Sequence, residues 1–253
     1  MSGFRYFIEL SYKGTAYCGW QVQPNAVAVQ EVLNKALSTL LRSPGLETVG
    51  CGRTDAGVHA TLFYAHFDLD HKVKEKEEIF IYKINSLLPE DVAVSRLIPL
   101  HPEAHARFDA TRREYKYYIH FKKDPFSKET SVYQAKVPDM ELMNKAAATL
   151  LNVSDFTSFA KLHADAKTNI CKVTHARWEQ TEKGMCFTIS ADRFLRNMVR
   201  AIVGTLLLVG NRKITLDQFR DIIIQQDRGS AGMSAPAQGL FLTGIEYPYL
   251  SII

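Results

Sequence analysis

The sequence predicts an α/β protein of the α+β kind: two ferredoxin-like β-α-β-β-α-β halves with mainly antiparallel sheets side by side and an active-site cleft between them. Two observations predict this. Apolar alternation and helical spacing follow one another as strand, helix, strand, strand, helix, strand, and the same order then recurs. The composition, 46% hydrophobic and 23% charged over 253 residues, is that of a folded chain long enough to bury a real core.

Each element rests on its own pattern. Phe4 to Tyr12 alternates as a strand, and Val29, Val32, Leu33, Ala36, Leu37, Leu40 and Leu41 recur at helical spacing. A short strand over Thr48–Cys51 leads into a glycine-rich segment. In the strand Leu62–Asp70, Phe63, Ala65, Phe67 and Leu69 face one way, with Tyr64, His66 and Asp68 opposite. A helix over Glu75–Leu88, stopped by Pro89, and a strand over Val92–Leu97 complete the first half. The second half opens with a strand over Glu114–Phe121, in which Tyr115, Tyr117, Ile119 and Phe121 share a face. A helix over Asp139–Leu151 follows, then strands over Cys171–Glu179 and Met185–Asp192 joined through Lys183 and Gly184. A strongly apolar helix over Phe194–Val209, an additional one over Leu216–Gln226 and a strand over Leu240–Glu246 close the chain. No residues match between the halves, so the repeat is one of architecture. The expected domains are 1–104 and 105–253, with the boundary near Pro99–Ala106.

Several classes are set aside. The N-terminus has no charged leader followed by an apolar stretch, so no signal peptide is expected. The longest apolar run, Ala201 to Gly210, is too short to span a bilayer. Cys18, Cys51, Cys171 and Cys186 are far apart, without zinc-ligand spacing, and are read as reduced thiols in a cytoplasmic protein. Gly50-Cys-Gly does not continue into a dinucleotide fingerprint. No cofactor and no metal are expected. A formal net charge of +4 is compatible with a nucleic-acid partner without proving one.

Three segments carry chemistry. The first is Gly50-Cys-Gly-Arg-Thr-Asp-Ala-Gly-Val-His-Ala60, where Gly50, Gly52 and Gly57 permit positive φ and the close approach of another backbone or a ligand. Asp55 on such a loop can project into a cleft with Arg53 and His59 flanking it, although by local pattern an Asx turn is the plainer account of an Asp-Ala-Gly string. The second is the strand with Arg112, Arg113 and Lys116 interleaved with Tyr115, Tyr117 and Tyr118; a cation beside a π face suits an unstacked base and its phosphate. Sheet packing is the plainer account of the aromatic alternation. In the third, Arg193, Arg196 and Arg200 fall at i, i+3 and i+7 where a helix turns apolar. Arg200 either snorkels to solvent or forms a buried pair with a carboxylate.

Taken together, these segments resemble the tRNA pseudouridine synthase A family. The string Gly52-Arg-Thr-Asp-Ala-Gly-Val-His59 carries the resemblance. Tyr12-x-Gly14…Gly19-Trp20-Gln21, Val29-Gln30-Glu31, His105-Ala-Arg-Phe108, Arg113-x-Tyr115-x-Tyr117, Asp155-Phe-Thr-Ser-Phe159 and Met198-Val-Arg200-x-Ile202-Val-Gly204 extend it over nearly the whole chain. It implies isomerisation of uridine to pseudouridine in the anticodon stem-loop of tRNA, at positions 38 to 40, with tRNA as partner and a homodimer as the working form. It implies that Asp55 is the catalytic carboxylate, that Arg53 helps displace the target base, that Tyr115 lies against the flipped uracil and that Arg200 pairs with Asp55. His163–Lys172 departs from it in carrying lysines, which meet phosphate as point charges. Two other classes compete. A glycosidase or nucleosidase needs a second acid that the Asp55 loop does not supply, and a non-catalytic RNA-binding module would show glycines that Tyr115-Lys-Tyr-Tyr lacks.

Overall fold

In the computed structural model, residues 3–161 and 167–250 are described. The chain divides into two compact units, Met1–Thr111 with Leu242–Ile253, and Arg112–Phe241.

In the first unit, β1 (Phe4–Tyr12) is followed by α1 (Val29–Leu41), β2 (Val49–Gly50), β3 (His59–Leu69), α2 (Glu77–Asn85) and β4 (Val92–Leu100). The strand order is β4-β1-β3, both pairings antiparallel, and β2 pairs antiparallel with β3. That is the arrangement of a split β-α-β fold. Helix α1 buries Val29, Leu33, Ala36 and Leu37, the stripe its spacing dictates. Helix α2 ends at Asn85, short of Leu88. The Asn85 side-chain amide donates to the Val94 carbonyl and accepts from the Val94 N–H, both at 2.8 Å, pairing the helix end with β4.

On β3, Phe63, Ala65, Phe67 and Leu69 are buried as their alternation requires. Tyr64 and His66 on the opposite face are buried too. The chain's last stretch accounts for this: the Tyr247 ring meets Tyr64 edge-on at 5.5 Å and Phe7 at 5.3 Å, and the Tyr247 hydroxyl donates to the Ala106 carbonyl at 2.6 Å.

In the second unit, β5 (Arg112–His120) leads through β6 (Val132–Tyr133) to α3 (Met140–Thr149), β7 (Val173–Gln180), β8 (Gly184–Ala191), α4 (Met198–Gly210) and α5 (Leu216–Gln225). The strands order as β5-β8-β7, antiparallel throughout, the first, third and second strands of the same motif. Asp139 caps α3 by accepting the Leu142 N–H at 3.0 Å, and a Thr215–Gln218 capping box opens α5. Strand β8 is buried along its whole length. A final strand, β9 (Leu240–Glu246), lies beside β3, and its residues from Leu242 onward count with the first unit.

Candidate active site

The Asp55 loop is held from beneath. Thr54 is only 8% exposed, and its hydroxyl pairs with the Tyr12 hydroxyl at 2.8 Å inside the core. The Thr54 carbonyl accepts from the Trp20 N–H at 3.4 Å, and the Gly57 N–H donates to the Tyr17 carbonyl at 3.2 Å. The turn closes on itself where the Val58 N–H meets the Asp55 carbonyl at 3.1 Å. His59 is buried, and its Nδ1 accepts the Gly14 N–H at 3.0 Å, so it supports the loop from below. Gly19 explains why the bracing segment comes so near: its φ is +88°, and a Cβ there would stand 2.2 Å from the Thr54 carbonyl oxygen. Trp20 stacks on Phe63 at 4.2 Å and anchors that segment in the core. Gln30 ties the next turn down, donating to the Thr48 carbonyl at 2.6 Å and accepting from the Val22 N–H at 2.9 Å.

The result is a sharp gradient along three residues, with Arg53 exposed, Thr54 buried and Asp55 half-buried. The loop's own glycines differ in what they do. Gly50 lies under the Trp20 ring, Gly57 has φ +76°, and Gly52 faces open space. The bracing segment, Gly14 to Trp20, belongs to the family resemblance but carries no residue whose chemistry announces a bracing role. Nothing short of the tertiary contacts could have assigned it this task.

In the second unit, β5 shows why its aromatics are not equivalent. Tyr117 is fully buried, its hydroxyl donates to the Pro236 carbonyl at 2.9 Å, and burial raises its pKa. Tyr118 packs edge-on to Phe241 at 5.4 Å, and burial pushes its phenol up to about 12. Tyr115 lies towards the open end of the Tyr117 face, half-buried and perpendicular to Phe194 at 5.1 Å. The basic cluster is largely engaged within the protein. Arg112 bonds Glu114 at 2.6 Å and Ser190 at 2.8 Å, and Arg113 donates to the Asp192 carbonyl at 3.0 Å.

The arginine stripe is corrected by the structure. Helix α4 begins at Met198, so Arg193 and Arg196 precede it and share no helical face with Arg200. The physical reason is Asn197, whose left-handed conformation (φ +66°) breaks the run; Asn is among the few side chains that tolerate that region. Arg200 sits half-buried in the first turn of α4, where its Nε donates to the Ala235 carbonyl at 2.7 Å and its own carbonyl accepts the Ala235 N–H at 2.9 Å. The segment that carries Ala235 is in turn fixed to the helix. The Gly232 N–H donates to Thr205 Oγ1 at 3.0 Å, and Asn197 donates to Ser234 Oγ at 2.6 Å. Sequence reasoning missed this segment, whose small residues have no periodicity to read.

Among the described residues, no group of three or more His, Cys, Asp or Glu side chains could hold a metal ion. No described helix is long and apolar enough to cross a membrane. Of the lysine-bearing segment, residues 163–166 lie outside the described residues. Within the rest, the Cys171 N–H donates to the Ser154 carbonyl at 2.9 Å and the Lys172 N–H to Asp192 at 2.8 Å.

The chain matches known RNA-modifying enzymes. Residues 146–248 match a family described as tRNA pseudouridine synthase. The chain is 55% identical over 249 residues to tRNA pseudouridine synthase A of Bacteroides fragilis, covering 98% of each chain. It is 53% identical to tRNA pseudouridine synthase A of Parabacteroides distasonis over 96% of each chain. The protein of that name in Shouchella clausii is 35% identical over 94% of this chain and 92% of its own. The chain therefore belongs to the tRNA pseudouridine synthase A family, and with it to the isomerases.

Proposed function

We propose that this protein isomerises uridine to pseudouridine in tRNA, at positions 38 to 40 of the anticodon stem-loop, with Asp55 as the catalytic carboxylate. The supporting observation is the clamped loop. Thr54, Gly57 and His59 are locked to the interior around Asp55, so the carboxylate's backbone is preorganised before substrate arrives. In the reaction the C1′–N1 bond breaks, the uracil turns, C5 bonds to C1′, the C5 proton leaves and N1 takes up a proton in its place. No atom is gained and no redox partner is needed. A carboxylate serves either by attacking C1′ or by removing a sugar proton.

Arg53, exposed one residue before Thr54, helps displace the base and takes its place in the stack. Tyr115 offers its ring to the flipped uracil, which offsets part of the few kcal/mol that flipping costs. Arg200, its Nε held by Ala235, is the arginine we assign as the partner of Asp55. We take the working form to be a cytoplasmic homodimer, which sedimentation of the purified protein tests.

The decisive experiment is release of tritium from tRNA labelled at uracil C5, with pseudouridines mapped in the product. Asp55→Asn is expected to bind tRNA and release none; turnover near the parent level overturns the assignment. Free uracil in place of pseudouridine would mark a glycosidase instead. Arg200→Lys is expected to lower kcat more than it raises KM, and an unchanged rate would remove Arg200 from the site.

A further inference from the structure

We infer that the turn Asp124–Lys128, beyond the end of β5, is a second RNA contact in which Phe126 stacks on an unpaired base between lysines that hold the backbone. The inference rests on the reading of tRNA as substrate. Phe126 is 94% exposed and has no ring or cation neighbour among the described residues. Phe108 and Tyr133, also exposed, differ: Phe108 lies 4.3 Å from the His105 ring and under Arg107, and Tyr133 packs beside His120, while Tyr82, 75% exposed, stands on α2 of the first unit beside Lys83, which is already paired with Glu75. Phe126 is not a loose side chain on a loose loop. Asp124 accepts from the Phe126 N–H at 3.0 Å, from Ser127 Oγ at 2.7 Å and from Lys183 Nζ at 2.9 Å. Ser127 beneath it is buried, and its carbonyl takes the Thr130 and Ser131 N–H groups at 3.1 and 3.0 Å. A rigid turn thus presents a phenyl ring with both faces bare.

The surrounding charge says what kind of surface covers the ring. Lys122, Lys123 and Lys128 are exposed, and none of the three makes an ion pair among the described residues. Asp124, the acid within the turn, is already engaged by Lys183. A protein interface depletes lysine at its core. A two-fold contact between copies of this chain would set the three lysines against themselves. RNA supplies both missing complements, a base with a π face and phosphates for the ammonium groups.

Position along β5 separates this contact from the proposed reaction site. At about 3.3 Å per strand residue, Tyr115 and His120 are roughly 16 Å apart, and the turn lies further on. The RNA that meets Phe126 is therefore not the nucleotide that meets Tyr115, and the contact affects capture of the tRNA without touching the isomerisation step.

The test uses the full chain, intact tRNA and two variants, Phe126→Ala and the triple change Lys122→Gln, Lys123→Gln, Lys128→Gln. These side chains are exposed, so thermal midpoints should match the parent. Phe126→Ala is expected to raise KM about tenfold with kcat within twofold of the parent. The triple variant is expected to flatten the slope of log Kd against log salt by about 2. Parent-like KM, Kd and salt slope overturn the inference. So does a changed sedimentation coefficient with tRNA binding intact, which would mark a protein interface. A parent protein that makes no pseudouridine in tRNA overturns the function itself; a parent that does, with variants that bind as well, overturns only this contact.

Discussion

Thr54 and Asp55 are adjacent in the chain and differ in almost every physical respect. Thr54 is buried with its hydroxyl on Tyr12, whereas Asp55 is half-buried on the turn that follows. The Thr54–Tyr12 pair is open to a direct test, because a buried hydroxyl that loses its partner costs about 1–3 kcal/mol. Thr54→Val is expected to destabilise the protein by that order and to lower kcat. Thr54→Val with Tyr12→Phe should cost less than the sum of the two, measured by denaturant unfolding; strict additivity would mean that the pair does not brace the loop. Gly19→Ala places a methyl group against the Thr54 carbonyl at a positive φ, and we expect kcat to fall more than KM rises. Sequence singled out Asp55 and Arg53 through the glycine-hinged loop and the family resemblance together. It could not show that His59, chemically attractive on paper, is a buried support.

At the scale of elements, periodicity located every major helix and strand and misplaced some of their ends. The ends moved where a single side chain made a long-range bond. Asn85, the last residue of α2, pairs with Val94, and Asn197 turns left-handed and delays α4 until Met198. The second shift matters most, since it removes the helical stripe that had linked Arg193, Arg196 and Arg200. It leaves Arg200 defined by a different neighbour, the Gly232–Pro236 segment lying against α4. Gly204 makes that approach possible, for a Cβ there would stand 1.9 Å from the Met233 carbonyl oxygen. Gly204→Ala is therefore expected to push the segment away, cost Arg200 its Ala235 carbonyl and lower both kcat and the thermal midpoint. Parent-like kcat in a folded Gly204→Ala protein would show that the segment does not position Arg200.

At the scale of the whole molecule, stability acquires a pH dependence from the first unit. His66 is buried, and its Nδ1 accepts the Ala106 N–H at 3.1 Å. Burial first, then the charge on Arg5, lowers its pKa from 6.5 to about 4. The unfolded chain takes a proton near pH 6.5, but the folded chain resists until about pH 4. Stability is thus fully present above the upper value and is lost as pH falls between the two. We expect the thermal midpoint to decline over that interval. His66→Gln, which keeps an acceptor and cannot titrate there, should flatten the decline even if it lowers the midpoint at neutral pH; an undiminished slope would assign the dependence to other groups.

By itself the sequence determined the fold class, the strand and helix order and the family, because those follow from hydrophobic period and from a short string of unusual residue types, which are local properties. Tertiary structure alone decided which of the singled-out side chains support the fold. His59, Arg112 and Arg113 turned out to be engaged internally, as did the face of β3 that carries Tyr64 and His66. It also decided that the last residues, from Leu242, complete the unit that the first residues begin. The physical reason is the same throughout: a hydrogen bond or a packed ring joins residues tens to hundreds of positions apart, and no local pattern records which partner will arrive.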